Sequence, residues 1–353
     1  MTTRPRILTG DTPTGRLHLG HWVGSLENRV NLQNEYDCYF LLANMHAFTT
    51  RADKPAEIRQ DTIEIVKDWL AAGIDPKRST IVLQTEVPAI AELTWFFAML
   101  IPFNKVMRNP TLKTEIDAKG LGDTYSFGFP MYAVGQCADI LAFRPELVPV
   151  GEDQEAHIEM CRDVALKFNQ LYCGVGNRIV PEEHVKAGGL FPIPKAKIGR
   201  IGRLPGIDGS SKMSKSLGNA IMLSDSPKEI QKKIGKITTG RQSPADKGDI
   251  TNVLFTFVRA FIRDEARVKE LEAKYAAGDN IGDGHIKQEL AERINELLEP
   301  MRARRAEYEK PGGDDLVIDI IKDGTRRANV IAEETLYHAK KAMKLDYGSR
   351  SLK

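Results

Sequence analysis

The chain has 353 residues, of which 42% are hydrophobic and 28% are charged, and its formal net charge is +2. These values lie near globular averages, so they exclude a disordered, collagen-like or coiled-coil chain. At ~150 residues per domain the length predicts two domains. The small net charge excludes a uniformly basic nucleic-acid coat protein, although a local basic patch could still bind RNA.

The cysteines and the N-terminus predict a soluble, reduced, cytoplasmic protein. The four cysteines, at positions 38, 137, 161 and 173, contain no CxxC pair, so we expect neither a disulfide scaffold nor a structural zinc site. The first fifteen residues lack the apolar core of a secretory signal. The longest apolar run, residues 93–103, is shorter than the ~20 residues that cross a bilayer, so no membrane association is expected.

Short apolar runs alternate with helical patterns through the first two hundred residues. Strands are predicted at residues 6–9, 37–43, 80–83 and 147–150, and helices at about 19–33, from 55 to Gly73, and at 130–143. This alternation predicts an α/β fold with a Rossmann-type doubly wound parallel sheet. Ligands of such sheets bind at the carboxyl ends of the strands.

The second part of the chain differs from the first in composition and in predicted secondary structure. Residues 186–209 are rich in Gly and Pro and predict connecting loops. Beyond Asp225 the pattern is mostly helical, most clearly at residues 252–262, 284–299 and 328–345. We therefore expect an α/β domain at residues 1–205 and a helical domain at 206–353, whose last helices could pack back on the first domain.

The first candidate site is the segment 13–21, PTGRLHLGH, after the first strand. A strand, a turn and a helix start suit an anion, because the first N–H groups of a helix lack internal partners. The segment is neither a Walker loop nor a GxGxxG motif. His18 and His21 would project to one side, and Gly20 would let a base or ribose approach the backbone. An ordinary polar helix start is the alternative.

The second candidate site is the segment 208–219, DGSSKMSKSLGN. Lys212 and Lys215 flank Met213 and Ser214, and their ammonium groups can bind a polyphosphate as point charges. Such a loop suits a reaction in which pyrophosphate leaves, because negative charge grows there in the transition state. A solvated loop is the alternative, which this string after an HxGH turn disfavours.

HLGH followed about 190 residues later by KMSKS resembles the two signatures of class I aminoacyl-tRNA synthetases. The resemblance implies that His18, Gly20 and His21 hold ATP, and that Lys212, Ser214 and Lys215 stabilise its triphosphate while an aminoacyl-adenylate forms. Mg²⁺ is expected on the phosphates, and no side chain need act as a covalent nucleophile. The ATP site is expected to include also Thr12, Pro13, Thr14, Leu204, Met213 and Ser216.

Tyr132, Gln136 and Asp139 are spaced to lie on one face of the predicted helix. A carboxylate in an apolar pocket needs a hydrogen-bond donor. An indole N–H is such a donor, and a phenol O–H would also suit. Asp139 alone therefore leaves tryptophan and tyrosine open as substrates.

Residues 147–157, LVPVGEDQEAH, with the preceding CADIL, closely resemble the tryptophanyl-tRNA synthetases. So do EYDCYFLLANMHAFTT and GIDPKRSTIVLQTEVP. Gly151 permits close backbone approach, and Asp153 and Gln154 at a strand end can bond ribose or an ammonium group. The resemblance implies that Gly151, Glu152 and Asp153 line the ATP site.

The same resemblance implies that Asp139 accepts the indole N–H and that His46 borders the pocket, with a core histidine as the alternative for His46. It implies an ATP-dependent ligase that joins L-tryptophan to tRNA(Trp), acts as a homodimer and does not bind DNA. The helical domain would then bind the anticodon. An insertion in the first domain would form the dimer, and residues 93–103 are a candidate contact, with a core helix as the alternative.

Two positions depart from the family pattern. Thr12 stands where many relatives have Gln, which puts that contact with ATP in doubt. Gln136 stands where other bacterial members have Met, so its amide could alter selection among indole-substituted tryptophans.

Three other functions remain open. A tyrosyl-tRNA synthetase shares the Tyr132–Gln136–Asp139 pattern. A cofactor-synthesis nucleotidyltransferase shares HxGH but would lack KMSKS. A non-catalytic paralogue with a regulatory or RNA-binding role would have lost histidines or lysines that are present here.

The charge is unevenly distributed along the chain. Residues 195–241 contain eleven Lys and Arg against three Asp and Glu. The segment 301–305, MRARR, and the lysines after Ala339 add basic clusters. A local basic face is what a transient RNA substrate needs.

Overall fold

The computed structural model describes residues 4–118, 120–122, 124–199, 204–210, 213–215 and 217–347. Five parallel strands form one sheet in the order β3-β2-β1-β4-β5. They are β1 (Arg6–Asp11), β2 (Asp37–Leu42), β3 (Ser79–Leu83), β4 (Leu147–Val150) and β5 (Lys195–Ile198). The strand order reverses between β1 and β4, so the predicted Rossmann-type doubly wound fold is confirmed.

The strand β5 corrects the prediction of loops for residues 186–209. It pairs with β4 from Leu147↔Lys195 to Val150↔Ile198. Two of its four residues are lysines, which are common on edge strands because they discourage further pairing. The strand alternates polar and apolar residues, but four residues among Gly and Pro are too short for this alternation to stand out.

Helices cover both faces of the sheet. Those of the first half are α1 (Leu19–His21), α2 (Glu27–Leu32), α3 (Asn44–Arg51), α4 (Pro55–Ala72), α5 (Pro88–Ala98), α6 (Phe103–Met107), α7 (Pro110–Ala118), α8 (Gly128–Leu141) and α9 (Glu155–Cys173). Those of the second half are α10 (Pro227–Gly235), α11 (Val253–Phe261), α12 (Glu265–Ala277), α13 (Asp283–Tyr308) and α14 (Gly313–Ala342). A π-helical turn, Trp22–Leu26, joins α1 to α2. No helix within the described ranges is long and apolar enough to cross a membrane.

Successive residues of the strands pack in two hydrophobic cores, one on each face of the sheet. Ile7 and Cys38 belong to the core formed with α4, α10, α11, α12 and α13. Leu8 and Tyr39 belong to the core formed with α5, α8, α9 and the end of α14. A parallel sheet buried on both faces requires this arrangement.

The last two helices are longer than predicted. α13 contains Pro300, where a helix usually ends, and continues to Tyr308. α14 begins at Gly313, fifteen residues before the expected start. It covers the edge strand β3, where the Thr325 hydroxyl accepts the Leu83 N–H at 2.9 Å. A Cβ on Gly324 would lie 2.1 Å from the Ile81 carbonyl oxygen, so glycine permits this close contact.

Candidate active site

The carboxyl ends of β1, β2 and β4 open into a cleft of about 650 Å³. Most predicted site residues line it: Thr12, Pro13, Thr14, His18, Gly20, His21, His46, Tyr132, Gln136, Asp139, Gly151, Asp153, Gln154, Leu204 and Met213. Glu152, Ser214 and Lys215 do not line the cleft. Lys212 and Ser216 lie outside the described residues. The fold thus brings together in a single cleft the segment 13–21 (the histidine turn), part of the segment 208–219 (the lysine loop) and one face of α8.

The two histidines cap the helix on which they lie. His18 Nδ1 accepts the Gly20 N–H at 3.2 Å, and His21 Nδ1 accepts the His18 N–H at 3.2 Å. Their ring centroids are 3.9 Å apart. In the neutral rings the proton therefore lies on Nε2, so both imidazoles can act as hydrogen-bond donors. Two donors beside a helix N-terminus suit an anionic ligand.

A polar network that the sequence does not indicate lies at the end of β1. The Asp11 carboxylate accepts bonds from Arg29 Nη1 and Nη2 at 2.7 and 2.9 Å, and from Trp69 Nε1 at 2.9 Å. Burial acts to raise the pKa of Asp11, but the Arg29 guanidinium outweighs it and the pKa is lowered. Arg51 donates to the Pro13 carbonyl at 2.8 Å. These contacts fix the backbone on either side of Thr12.

The described part of the lysine loop rests against the opening turn. Lys215 Nζ donates to the Thr14 carbonyl at 3.0 Å. The backbone N–H of the buried Met213 donates to the Leu204 carbonyl at 3.3 Å. The Ser214 N–H donates to Asn219 Oδ1 at 2.7 Å. The loop base is thus anchored, and the Lys215 ammonium lies beside the turn between β1 and the histidines.

At the other end of the cleft, Asp139 is buried on α8 and meets residues from two other elements. Gln84 Nε2 donates to Asp139 Oδ1 at 2.8 Å and lies 3.0 Å from His46 Nε2. Asp139 Oδ2 lies 3.5 Å from His46 Nε2. The Gln84 amide is oriented because its Oε1 accepts the Met45 N–H at 3.0 Å. A Cβ on Gly135 would lie 2.9 Å from His46 Nε2, so glycine leaves room for the imidazole.

Burial keeps the Asp139–His46 pair neutral at pH 7. It raises the pKa of Asp139 to about 8, although the Gln84 hydrogen bond acts to lower it. It lowers the pKa of His46 to about 4, and nearby His157 acts in the same direction. A second N–H donor that enters the pocket would stabilise the ionised form of this carboxyl group and so lower its pKa.

The remaining pocket residues form two polar contacts on α8. The Tyr132 hydroxyl lies 3.4 Å from His157 Nε2, and His157 Nδ1 lies 3.2 Å from Asn109 Nδ2. Burial lowers the pKa of His157 to about 4 and raises the pKa of Tyr132. Gln136 Nε2 donates to Gln154 Oε1 at 3.3 Å. The two glutamines therefore form one amide surface at the pocket edge.

Several residues that contact the cleft lining were not predicted from the sequence. Gln84 had one available signal, because a polar residue directly after a buried strand lies at the ligand-binding edge of the sheet. His157, at the start of α9, lacked even that signal, since a lone histidine on a helix is more often a packed core residue. Arg29 and Trp69 act through Asp11 from distant helices.

The segment MRARR contributes only part of the basic surface expected of it, because Arg304 is exposed and Arg302 half-buried but Arg305 is buried. Arg304 Nε donates to the Ala71 carbonyl at 2.6 Å, and Arg302 Nη1 donates to the Asp225 carbonyl at 3.3 Å. Arg305 is buried and paired with Asp68 and Glu64. Lys340, among the later lysines, pairs with Glu92. Arg304, Arg305 and Lys340 thus hold the last two helices against α4 and α5.

The two ends of the cleft have opposite chemistry. One end presents imidazole and backbone N–H donors near a lysine, which suits phosphate oxygens. The other end presents a buried carboxyl acceptor between apolar walls, which suits an aromatic ring with a polar hydrogen. Among the residues that the structure describes, no group of three or more His, Cys, Asp or Glu side chains could hold a metal ion.

Comparison with known proteins agrees with this arrangement. Residues 1–299 match the family model described as tRNA synthetases class I (W and Y). A tryptophan–tRNA ligase of Streptococcus mutans is 42% identical over 353 residues, covering 98% of this chain and 99% of that protein. One of Lactococcus lactis is 40% identical over 352 residues, covering 98% and 99%.

A solved structure shows the same fold. The tryptophanyl-tRNA synthetase of Campylobacter jejuni, complexed with ADP and tryptophan, superimposes with a TM-score of 0.77 at 32% identity, covering 96% of this chain and all of that one. The family match covers most of the chain, and the relatives span nearly its full length. The chain therefore belongs to the class I tRNA synthetases for tryptophan and tyrosine.

Proposed function

We propose that the chain is a tryptophan–tRNA ligase. It activates L-tryptophan with ATP to tryptophanyl-adenylate and pyrophosphate, and then transfers the tryptophanyl group to tRNA(Trp). The observation that carries the proposal is Asp139, a buried carboxyl group in the cleft lining with one oxygen bonded to Gln84 and the other 3.5 Å from His46 Nε2. The names of full-length relatives at 40–42% identity support tryptophan rather than tyrosine.

The proposed first step is an in-line displacement at phosphorus. A carboxylate oxygen of tryptophan attacks the α-phosphorus of ATP, and the bond from that phosphorus to the oxygen bridging the β-phosphate breaks. In the second step the terminal ribose hydroxyl of tRNA attacks the adenylate carbonyl carbon, and AMP leaves. Mg²⁺ enters with the triphosphate as part of the substrate and spreads its charge. Positioning and charge stabilisation supply the catalysis.

Each end of the cleft takes one substrate in this proposal. The ATP residues are Thr12, Pro13, Thr14, His18, Gly20, His21, Gly151, Glu152, Asp153, Leu204, Lys212, Met213, Ser214, Lys215 and Ser216. The tryptophan residues are His46, Tyr132, Gln136, Asp139 and Gln154, to which we add Gln84. His18, His21, Lys212 and Lys215 act on the phosphates as charge moves to the leaving group.

Aminoacylation tests the proposal directly. Purified protein should charge a tRNA(Trp) transcript with labelled tryptophan and leave a tRNA(Tyr) transcript uncharged with labelled tyrosine. Charging of tRNA(Tyr) would assign the chain to the tyrosine branch. Activity with neither transcript would support a non-catalytic paralogue.

We place tRNA binding on the helical half, with residues 1–205 as the catalytic domain and 206–353 as the anticodon-binding domain. Lys228, Lys232 and Lys236 are exposed and spaced four residues apart along and just beyond α10, so they share one face. A row of lysines can contact phosphates without reading sequence. We place the enzyme in the cytoplasm, and the four free cysteines support a reducing compartment.

We expect the protein to be a homodimer joined through α5 and α6. Trp95, Met99 and Phe103 are 65%, 74% and 64% exposed at a spacing of four residues, whereas Leu93 and Phe97 are buried. Several large apolar side chains together on one surface indicate an interface. In analytical ultracentrifugation the wild type should sediment as a dimer and Trp95→Glu as a monomer. A monomeric wild type, or a dimeric variant, would contradict this interface.

The amide surface formed by Gln136 and Gln154 predicts a change in substrate selection. Gln136→Met removes the hydrogen bond to Gln154, and we expect the variant to lose discrimination between tryptophan and indole-substituted tryptophans by about five- to tenfold. Competitive adenylation with tryptophan and its ring-substituted analogues measures this. The same preference in the variant and the parent would remove the assigned role of Gln136.

The pKa of Asp139 predicts that tryptophan binds more tightly as the pH rises. An indole N–H favours the ionised carboxylate, so binding lowers a pKa that is about 8 in the free protein. The affinity should therefore increase by about tenfold from pH 6.5 to 8.5 and level off above the free-state pKa. His46 and His157 have pKa values of about 4 and do not titrate in this range. Calorimetry of tryptophan binding without ATP should show this rise, and an affinity independent of pH would contradict it.

A further inference from the structure

A buried ion pair connects the helical half of the chain to the histidine turn. Asp68 on α4 and Arg305 on α13 have side chains that are 1% and 4% exposed, and Arg305 Nη1 donates to Asp68 Oδ1. The residues are 237 positions apart in the chain. Neither belongs to the cleft lining.

The second oxygen of Asp68 holds the backbone of the turn. Asp68 Oδ2 accepts the Leu17 N–H at 2.6 Å, and Leu17 directly precedes His18. On its other side the turn pairs with the segment after the lysine loop. The Leu19 N–H donates to the Ile221 carbonyl at 2.9 Å, and the Leu223 N–H donates to the Leu17 carbonyl at 3.0 Å. Asp68 thus connects α4 to the backbone of this turn.

Arg305 fixes the position of the Asp68 carboxylate. Its Nη2 donates to Glu64, and its Nε donates to Glu309 at 2.9 Å. Glu64 also accepts Arg16 Nε at 2.9 Å, so the network reaches the turn a second time, one residue before Leu17. Burial raises the pKa of Asp68 to about 6, while Arg305 and the Leu17 N–H act to lower it and keep the carboxylate ionised at pH 7.

Stability alone does not explain such a pair. Taking two charges out of water is costly, and apolar side chains of similar volume often stabilise a fold as well or better. A buried charge with one oxygen on a backbone N–H, however, fixes that backbone more firmly than apolar packing does.

We propose that Asp68, held by Arg305, is a positioning residue that sets where His18 and His21 meet the phosphates of ATP. The inference rests on the proposed ATP role of the histidine turn. Asp68 touches no substrate and acts through the Leu17 N–H. A turn displaced by the loss of this bond weakens ATP binding and leaves the tryptophan pocket on α8 unchanged.

The test compares three variants with the wild type in ATP–pyrophosphate exchange and in calorimetry with ATP and with tryptophan. Asp68→Asn keeps the shape but leaves one acceptor oxygen for the Leu17 N–H and Arg305 Nη1, so one of the two bonds is lost. We expect the KM and Kd for ATP to rise about tenfold. The Kd for tryptophan should stay within about twofold. Arg305→Lys keeps the charge but cannot bond Asp68 and Glu64 in a planar fork, so its effect on ATP should be smaller and in the same direction.

Glu289→Gln is the matched control. Glu289 accepts two hydrogen bonds from Arg267, at 2.7 and 3.0 Å, and joins α12 to α13 outside the cleft lining. The Glu289→Gln variant should have a lower melting temperature than the wild type and the same Kd for ATP and for tryptophan. An ATP Kd within twofold of wild type in both Asp68→Asn and Arg305→Lys would overturn the proposal, since the pair would then act on stability only. If Asp68→Asn fails to fold, Arg305→Lys decides alone. Wild-type protein that binds ATP but shows no tryptophan-dependent exchange would instead contradict the proposed function.

Discussion

Asp139→Asn will raise the KM for tryptophan in ATP–pyrophosphate exchange by more than an order of magnitude. In the tryptophan complex the ionised carboxylate offers two acceptor oxygens, one for Gln84 Nε2, 2.8 Å away in the structure, and one for the indole N–H. Asparagine has a single acceptor, so one of these buried donors loses its partner. The loss costs about 2–3 kcal/mol, which corresponds to roughly 30- to 150-fold in KM.

Asp163→Asn provides the control for this prediction. Asp163 lies on α9 and pairs with Lys105 at 2.6 Å, with half of its side chain exposed. Surface pairs of this kind contribute little, so the control should match the wild type in both kinetic constants. A KM for tryptophan in Asp139→Asn within about threefold of the wild type would show that another group accepts the indole N–H.

Lys215→Ala will lower the rate of adenylate formation far more than it weakens ATP binding. In the structure the Lys215 ammonium donates to the Thr14 carbonyl, next to the turn that carries His18 and His21. An ammonium group that meets the phosphates as charge moves to pyrophosphate stabilises the transition state more than the ground state. We expect a loss of about 10²- to 10³-fold in the single-turnover rate, with a much smaller change in the Kd for ATP.

Lys228→Ala is the matched control, because Lys228 is exposed at the start of α10 and has no place in the proposed ATP site. It should leave adenylate formation unchanged. Rapid-quench measurement of labelled adenylate under single-turnover conditions separates the chemical step from product release. If Lys215→Ala forms adenylate at the wild-type rate, the role given to Lys215 is wrong.

The parts of the fold that sequence predicts are those with local signals. The apolar runs of β1 and β2, and α4 with Pro55 at its start and Gly73 at its end, carry strong periodicity and turn residues. The start of α14 is harder to predict, because glycines stand at its first residue, Gly313, and in its interior, Gly324. Glycine disfavours a helix interior, so it hides the continuity of the helix.

In the candidate site, too, the residues that sequence predicts are those with local signals. The histidine turn and the α8 face of Asp139 follow from short spacings within one element. Gln84 bonds Asp139 across 55 residues, and Arg305 reaches Asp68 across 237. Such contacts depend on how elements pack, which neither propensity nor spacing determines. Arg305 in MRARR shows the reverse error, since it forms a buried ion pair where composition predicted a surface.

One cleft binds ATP at one end and selects tryptophan at the other through a single buried acceptor, Asp139. ATP–pyrophosphate exchange with each amino acid in turn tests this selection most directly, because it requires no tRNA. Tryptophan should support exchange at least 10³-fold better than phenylalanine by kcat/KM, since phenylalanine has no polar hydrogen for Asp139. It should also be preferred to tyrosine, as the names of the full-length relatives indicate. Equal or better exchange with tyrosine, or no exchange with any amino acid, would contradict the account.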